Sequence, residues 1–282
     1  MRVVLAEDYG FCFGVERAVE RLIEVLKDSR VVTDGDIVHN EGVMDMLKSV
    51  GLMVKKDPAG TEADVFAIRA HGTSPKRLDE VKRRFKRVVD LTCPIVESLF
   101  ETAKELKDRG YTVVVFGKEG HAEMEALKGH VEDAVVTRKV FKVDGSVQKV
   151  AVVSQTTSPW KEFSSFVGDM VEENFHVKDW KVINTVCYVT VRREMEVERL
   201  SRMCDVVVVV GGKHSANTGK LYEIAKNLTR AIWISSPDEL GSYDFDGVDC
   251  VGIVSGTSTP KEDVEKVRDE ILRRGKDGEK ER

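Results

Sequence analysis

Residues 88–106 read VVDLTCPIVESLFETAKEL: a short β-like run, a loop ending in Cys93, a proline suited to the first helical position, then Ile95, Leu99, Ala103 and Leu106 at helical spacing. The same order of strand, loop and helix surrounds Cys12 in residues 3–20, VVLAEDYGFCFGVERAVE, and Cys187 in residues 182–200, VINTVCYVTVRREMEVERL. Behind Cys12, the residues Val15, Ala18, Val19, Leu22, Ile23 and Leu26 keep to one helical face. Behind Cys187 the stripe is thinner, and Val191, Met195 and Met203 mark the expected buried face among many charges.

The likeness continues beyond the cysteines. A second strand and polar loop follow in RVVTDGDIVHN (30–40), YTVVVFGKEGHAE (111–123) and CDVVVVVGGKHSAN (204–217), with histidines 27, 28 and 27 positions after their cysteines. A third strand meets hydroxyl residues and a helix-opening proline in FAIRAHGTSP, AVVSQTTSP and GIVSGTSTP, at Pro75, Pro159 and Pro260. Length alone suggests about two domains, but this self-similarity predicts three units, residues 1–92, 93–186 and 187–282. Alternating short strands and amphipathic helices predict an α/β fold with mostly parallel sheets. Packed with pseudo-threefold symmetry, three such units bring their loops to a central cavity, because ligands of parallel sheets sit beyond the carboxyl ends of the strands. The last stretch, from Arg273, reads as a frayed charged tail.

Composition bounds the chemistry. The 282 residues carry 44 Lys and Arg against 49 Asp and Glu, a net charge of −5, which argues against nucleic acid as a partner. No basic and apolar leader opens the sequence and no apolar run approaches membrane-spanning length, so the expectation is a cytoplasmic protein with no membrane partner. Five scattered cysteines, an odd number with no CxxC pair, exclude a disulfide framework as the organising device. Cys204 and Cys250 lie at the edges of apolar runs and read as core.

Cys12, Cys93 and Cys187 remain as candidate metal ligands. Three thiolates are one short of a closed site, which leaves a vertex for an oxygen of a substrate. Soft thiolates suit both an iron-sulfur cluster and zinc carrying a water, so ligand type leaves both open. Cys12 and Cys93 stand just before helix starts, where free N–H groups stabilise cluster charge, and this leans toward iron and sulfur. A zinc-dependent phosphate-ester hydrolase and a non-catalytic iron-sulfur redox sensor are the competing functions.

His39, His71, Ser215, Asn217 and Ser258 are neutral or weakly basic donors at strand ends, a set suited to the oxygens of a phosphate. There is no Gly-x-x-x-x-Gly-Lys stretch, so this is not a nucleotide P-loop. Glu123 fits either the first turn of a helix, where a carboxylate suits the dipole, or a proton donor whose pKa rises beside an anionic centre. Thr156 has a hydroxyl able to relay that proton.

In GFCFGV around Cys12, VHN at His39, AHG at His71, TCP around Cys93, GHAE at His121 and Glu123, SQTT at Thr156, Cys187 with Thr190, KHSAN and SGTSTP, the chain resembles the iron-sulfur 4-hydroxy-3-methylbut-2-enyl diphosphate reductases of the non-mevalonate isoprenoid pathway. The resemblance spans nearly the whole chain. It implies a 4Fe-4S cluster on Cys12, Cys93 and Cys187 with one iron open to the substrate hydroxyl. It places the diphosphate among His39, His71, His121, Ser215, Asn217 and Ser258, with Thr156 also at the substrate, and gives the proton to Glu123 and Thr156. It implies an oxidoreductase that takes electrons from ferredoxin or flavodoxin and removes the allylic hydroxyl as water, yielding isopentenyl or dimethylallyl diphosphate. Val189, Glu194 and Ala216 depart from the usual pattern, and Ala216 removes one phosphate donor, worth about 0.5 to 1.5 kcal/mol.

Overall fold

The three sequence copies fold into one repeated order of elements. The first runs β1 (Arg2–Leu5), α1 (Phe13–Leu26), β2 (Val31–Thr33), α2 (Glu41–Ser49), β3 (Met53–Val54), β4 (Val65–Ile68) and α3 (Pro75–Arg84). The second runs β5 (Arg87–Asp90), α4 (Pro94–Asp108), β6 (Thr112–Phe116), α5 (Ala122–His130), β7 (Val135–Thr137), β8 (Lys149–Ser154) and α6 (Trp160–Glu173). The third runs β9 (Asp179–Val182), α7 (Tyr188–Met203), β10 (Val206–Val210), α8 (Ala216–Lys226), β11 (Arg230–Ile234), a short 3-10 helix (Pro237–Ser242), β12 (Cys250–Ser255) and α9 (Lys261–Lys280). This computed structural model describes residues 1–58 and 60–280, the side chains of 276–280 excepted.

Among the described residues three four-stranded sheets result, in the orders β3-β2-β4-β5, β7-β6-β8-β9 and β11-β10-β12-β1. Every strand pair is parallel. The sheets share one plan, in which the strand leading into the next copy's cysteine forms an edge. Thus β5 pairs with β4, β9 with β8, and β1 returns to pair with β12. Strands covered on both faces read as unbroken apolar runs. Val206–Val210 and Val150–Val153 are all essentially buried.

By contacts the chain gathers into two compact units. One holds residues 1–16, 38–50 and 188 onward, with the sheet of β1, β10, β11 and β12. The other holds residues 17–37 and 51–187, with the remaining two sheets. In the first, Val208, Val210, Ile253, Val264 and Val267 form one cluster and Val197, Leu200, Val207 and Leu221 a second. In the other, Leu99, Ala103, Val113, Val115, Leu127 and Val153 fill the space between α4, α5 and the second sheet.

Pro75 and Pro94 take the first helical position, where a missing N–H costs nothing, whereas Pro159 and Pro260 stand one residue earlier. The face expected for α7 is corrected: Met195 and Met203 are exposed, and the buried stripe is Thr190, Arg193, Val197 and Leu200. Those four recur at helical spacing, but a buried arginine disguises the stripe in the sequence. The expected frayed tail is also corrected up to Lys280, for α9 runs that far and residues 281 and 282 lie outside the described residues. Arg273 and Arg274 both bind Glu270 one turn earlier, and Arg274 donates to the Leu240 carbonyl, which ties the segment down.

Candidate active site

One backbone hydrogen bond recurs at all three cysteines. The Cys93 N–H donates to the Ala70 carbonyl at 3.0 Å, Cys187 to Thr156 at 2.7 Å and Cys12 to Thr257 at 3.0 Å. Ala70, Thr156 and Thr257 each stand two residues beyond the end of a strand, β4, β8 and β12. The edge strand running alongside delivers each cysteine to that carbonyl, so parallel pairing carries a sequence repeat into a repeated thiol environment. All three thiols are half-buried, unlike Cys204 and Cys250, which are buried as the sequence suggested.

Cys93 caps α4 without a side-chain bond of the usual kind, because the N–H groups of Ile95 and Val96 point at its sulfur. Burial pushes this thiol above its ordinary pKa, the two N–H groups oppose that, and the nearby Cys187 and Glu123 charges raise it further. A thiol held protonated by its surroundings becomes a thiolate when a metal replaces the proton. Cys93, Cys187 and Glu123 are therefore close enough to feel one another, and the two thiols are soft donors of the kind that hold iron-sulfur clusters or zinc.

Glu123 lies in the first turn of α5 and is only 1% exposed. Its carboxyl accepts the Thr156 N–H at 2.7 Å on one oxygen and the Thr156 hydroxyl at 2.8 Å on the other. Burial raises its pKa to about 7, against the pull of those two hydrogen bonds. The first-turn position expected for this carboxylate is the one it takes. Gln155, beside it, accepts the Lys118 N–H and donates to Thr157, which stiffens the loop.

His121 is the N-cap of α5, and its Nδ1 accepts the Glu123 N–H at 3.2 Å, leaving the proton of a neutral ring on Nε2. His71, in the loop after β4, meets it edge to face with ring centroids 5.5 Å apart. Gly72 adopts φ +77° against the Phe100 ring, where a Cβ would come within 2.6 Å of that ring. His130 stacks on the same Phe100 and its Nε2 lies 3.1 Å from the Thr73 carbonyl. His130 thus supports the His71 loop, a role the sequence did not announce.

The other compact unit gathers a second set. Ser215 is the N-cap of α8 and accepts the Thr218 N–H at 3.2 Å. Asn217 donates to the Thr257 hydroxyl at 3.4 Å, and the buried Ser258 donates to the His39 carbonyl at 3.2 Å. Gly212 packs so closely on His39 that a Cβ would lie 2.9 Å from its carbonyl oxygen. His214, the third histidine of the register, points outward and pairs with Glu41 at 3.3 Å. At Ala216 a methyl group stands at the first helical position beside Ser215 and Asn217.

Sequence reasoning missed Arg193. This guanidinium is 3% exposed and donates to the Ser255 carbonyl at 2.7 Å, the Ser255 hydroxyl at 3.3 Å and the Gly10 carbonyl at 2.7 Å. It braces the loop before Cys12 against the loop that carries Ser258. Its signal was its position, four and seven residues before the buried Val197 and Leu200.

Residues 3–272 match the family model described as LytB protein. The chain is 49% identical over 269 residues to the 4-hydroxy-3-methylbut-2-enyl diphosphate reductase of Thermotoga maritima, covering 95% of this chain and 94% of that one. It is 35% identical to the reductase so named in Aquifex aeolicus, over 95% of each chain. A solved structure of (E)-4-hydroxy-3-methyl-but-2-enyl diphosphate reductase, the terminal enzyme of the non-mevalonate pathway, superposes with TM-score 0.75 at 34% identity, covering 97% of this chain and 100% of the other. The Plasmodium falciparum enzyme E-1-hydroxy-2-methyl-but-2-enyl-4-diphosphate reductase shares the fold, with TM-score 0.85 at 23% identity over 95% of this chain and 87% of its own.

Proposed function

Because this chain belongs to the LytB family, we propose that it catalyses the reductive dehydroxylation of 4-hydroxy-3-methylbut-2-enyl diphosphate to isopentenyl and dimethylallyl diphosphate. It is an oxidoreductase, and this reaction is the last step of the non-mevalonate isoprenoid pathway. The proposed centre is a 4Fe-4S cluster held by Cys12, Cys93 and Cys187, with one iron left to the substrate. The observation that carries this reading is the repeated cysteine N–H to carbonyl bond, which gives three distant cysteines one local geometry. When bound, the cluster would relay, one at a time, the two electrons of an external donor and would offer a Lewis-acidic iron to the substrate hydroxyl.

The protein side chains then have distinct tasks. His71 and His121, with His39, Ser215, Asn217 and Ser258, bind the diphosphate oxygens through neutral donors. Glu123, whose burial raises its pKa to about 7, is protonated in a substantial fraction of molecules at neutral pH, so a proton is at hand beside an anionic centre and an anionic substrate. For the relay the Thr156 hydroxyl, which donates to Glu123 in this structure, turns to accept the Glu123 proton on Oγ1 and gives its own to the departing hydroxyl, which leaves as water; a second proton, drawn from solvent, ends on the allylic carbon. Thr156 also holds Cys187 through its carbonyl, so the acid and one thiol are positioned by the same residue. A ferredoxin or flavodoxin is the proposed electron donor, and the proposed location is the cytoplasm. Among the described residues no helix is long and apolar enough to cross a membrane.

Purification under argon tests the reading. The expected result is brown protein with iron and acid-labile sulfide in near-equal amounts, which reduces the diphosphate only with a low-potential donor. Colourless, zinc-loaded protein that hydrolyses phosphate esters without reductant overturns it. Intact cluster without turnover favours a sensor.

A further inference from the structure

The two cysteines that the proposed centre does not use lie against each other. Cys204 follows the end of α7, Cys250 opens β12, and their sulfur atoms are 2.7 Å apart. A disulfide bond measures about 2.05 Å, so the pair lies just beyond bonding distance. Both residues are 6% exposed. Their backbones are fixed from both sides: the Asp205 N–H donates to the Cys250 carbonyl at 3.0 Å, and the Asp205 carboxylate accepts the Cys250 N–H at 2.9 Å. One residue further on, Val206 pairs with Val251 in the parallel ladder.

The surroundings distinguish the two thiols. The guanidinium of the exposed Arg2, on the edge strand β1, donates to Cys250 Sγ at 3.4 Å. A guanidinium in hydrogen-bond contact supports the negative charge that a sulfur carries as it attacks. Cys204 has no such neighbour so close, and burial, followed by the Cys250 sulfur, pushes its thiol well above the ordinary value. Cys250 is thus the attacking sulfur and Cys204 the one that resolves.

We propose that Cys204 and Cys250 form a reversible redox-modification site that closes to an intramolecular disulfide by exchange with a small disulfide. In the first step the Cys250 thiolate attacks one sulfur of the small disulfide, forming a mixed disulfide and releasing one thiolate. In the second, the Cys204 sulfur attacks Cys250 in that mixed disulfide and the second small thiol departs, the Cys204 proton passing to a released thiolate. Two protein thiols are oxidised and one small disulfide is reduced to two thiols. The closed bond ties the end of α7 to the start of β12 and cross-links a stretch of chain, 204 to 250, that is otherwise free in the unfolded state. The inference is independent of the proposed reaction, since neither sulfur belongs to that site.

The test treats the metal-loaded protein anaerobically with hydroxyethyl disulfide, quenches it in acid, alkylates the remaining thiols and maps the tryptic peptides. The expected product is peptide 203–213 joined to the peptide carrying Cys250, with Cys12, Cys93 and Cys187 recovered as alkylated thiols. The melting temperature is expected to rise by about 5 °C or more and to return on reduction, a comparison that needs only the wild-type chain. Cys204→Ser and Cys250→Ser should each abolish the rise, and Arg2→Met should slow closure roughly fivefold without changing its extent. Recovery of both thiols alkylated, adducts that stop at the mixed disulfide, or a bond from either sulfur to Cys12, Cys93 or Cys187 overturns the proposal.

Discussion

The loop after β8 and the loop after β12 occupy the same place in the repeat, and each lends a carbonyl to a cysteine N–H. They differ in the ionisable group buried against them. Glu123 sits on Thr156 in the first, and Arg193 sits on Ser255 and Gly10 in the second. A buried carboxyl exchanges its proton near neutral pH because desolvation raises its pKa, whereas a guanidinium stays charged in a protein at any ordinary pH. Repetition of the backbone therefore left room for a division of labour, with the proposed proton transfer in one copy and bracing in another.

Glu123→Gln is the sharpest way to break this contrast. It keeps the shape and removes the transferable proton, so turnover should fall by roughly 10² to 10⁴, with KM changed only a few-fold. Steady-state reduction of the diphosphate with a low-potential donor measures both parameters, and near-normal turnover would assign the proton to another group. Arg193→Met should leave the chemistry of Glu123 untouched. It strands the Ser255 and Gly10 carbonyls and should cost about 4 kcal/mol of stability. Denaturant melts check this, and a loss below about 1 kcal/mol would show that Arg193 braces nothing.

The pH dependence of stability separates the two groups further. Glu123 has a folded pKa of about 7, above its ordinary 4.5. Between those values the folded chain holds the proton more tightly than the unfolded chain, so stability is fully present below about pH 4.5 and declines as pH rises toward 7. The contribution lost is about 3 kcal/mol at most. Glu123→Gln should flatten that decline and Arg193→Met should leave its slope intact, as chemical melts at intervals between pH 5 and 8 would record.

Much of this was legible in the sequence because it is local. The run of Val or Ile into a loop, the cysteine, the proline at Pro94 and the helical stripe behind it are decided by neighbours a few residues apart. The constant spacing after each cysteine marks a helix start, since Asn40, His121 and Ser215, each 28 residues on, cap the helix that follows the second strand of their copy, though only one of the three caps is a histidine. Arg193 was missed because a buried charge is identified by its partners, and those lie 62 and 183 residues away. Met195 and Met203 were assigned to the core for the same reason, as apolar character in a charged helix says nothing of which face meets the sheet.

By itself, then, the sequence determined the threefold order of strands and helices, the three cysteines at helix starts and the first-turn place of Glu123, because propensity, periodicity and caps act within a turn or two of chain. Tertiary structure alone decided that β1 completes the sheet of the third copy, that Thr156 joins Glu123 to Cys187, and that Cys204 meets Cys250. Each of these depends on hydrogen bonding and packing between segments distant in the chain, and such contacts take their energy from the folded whole.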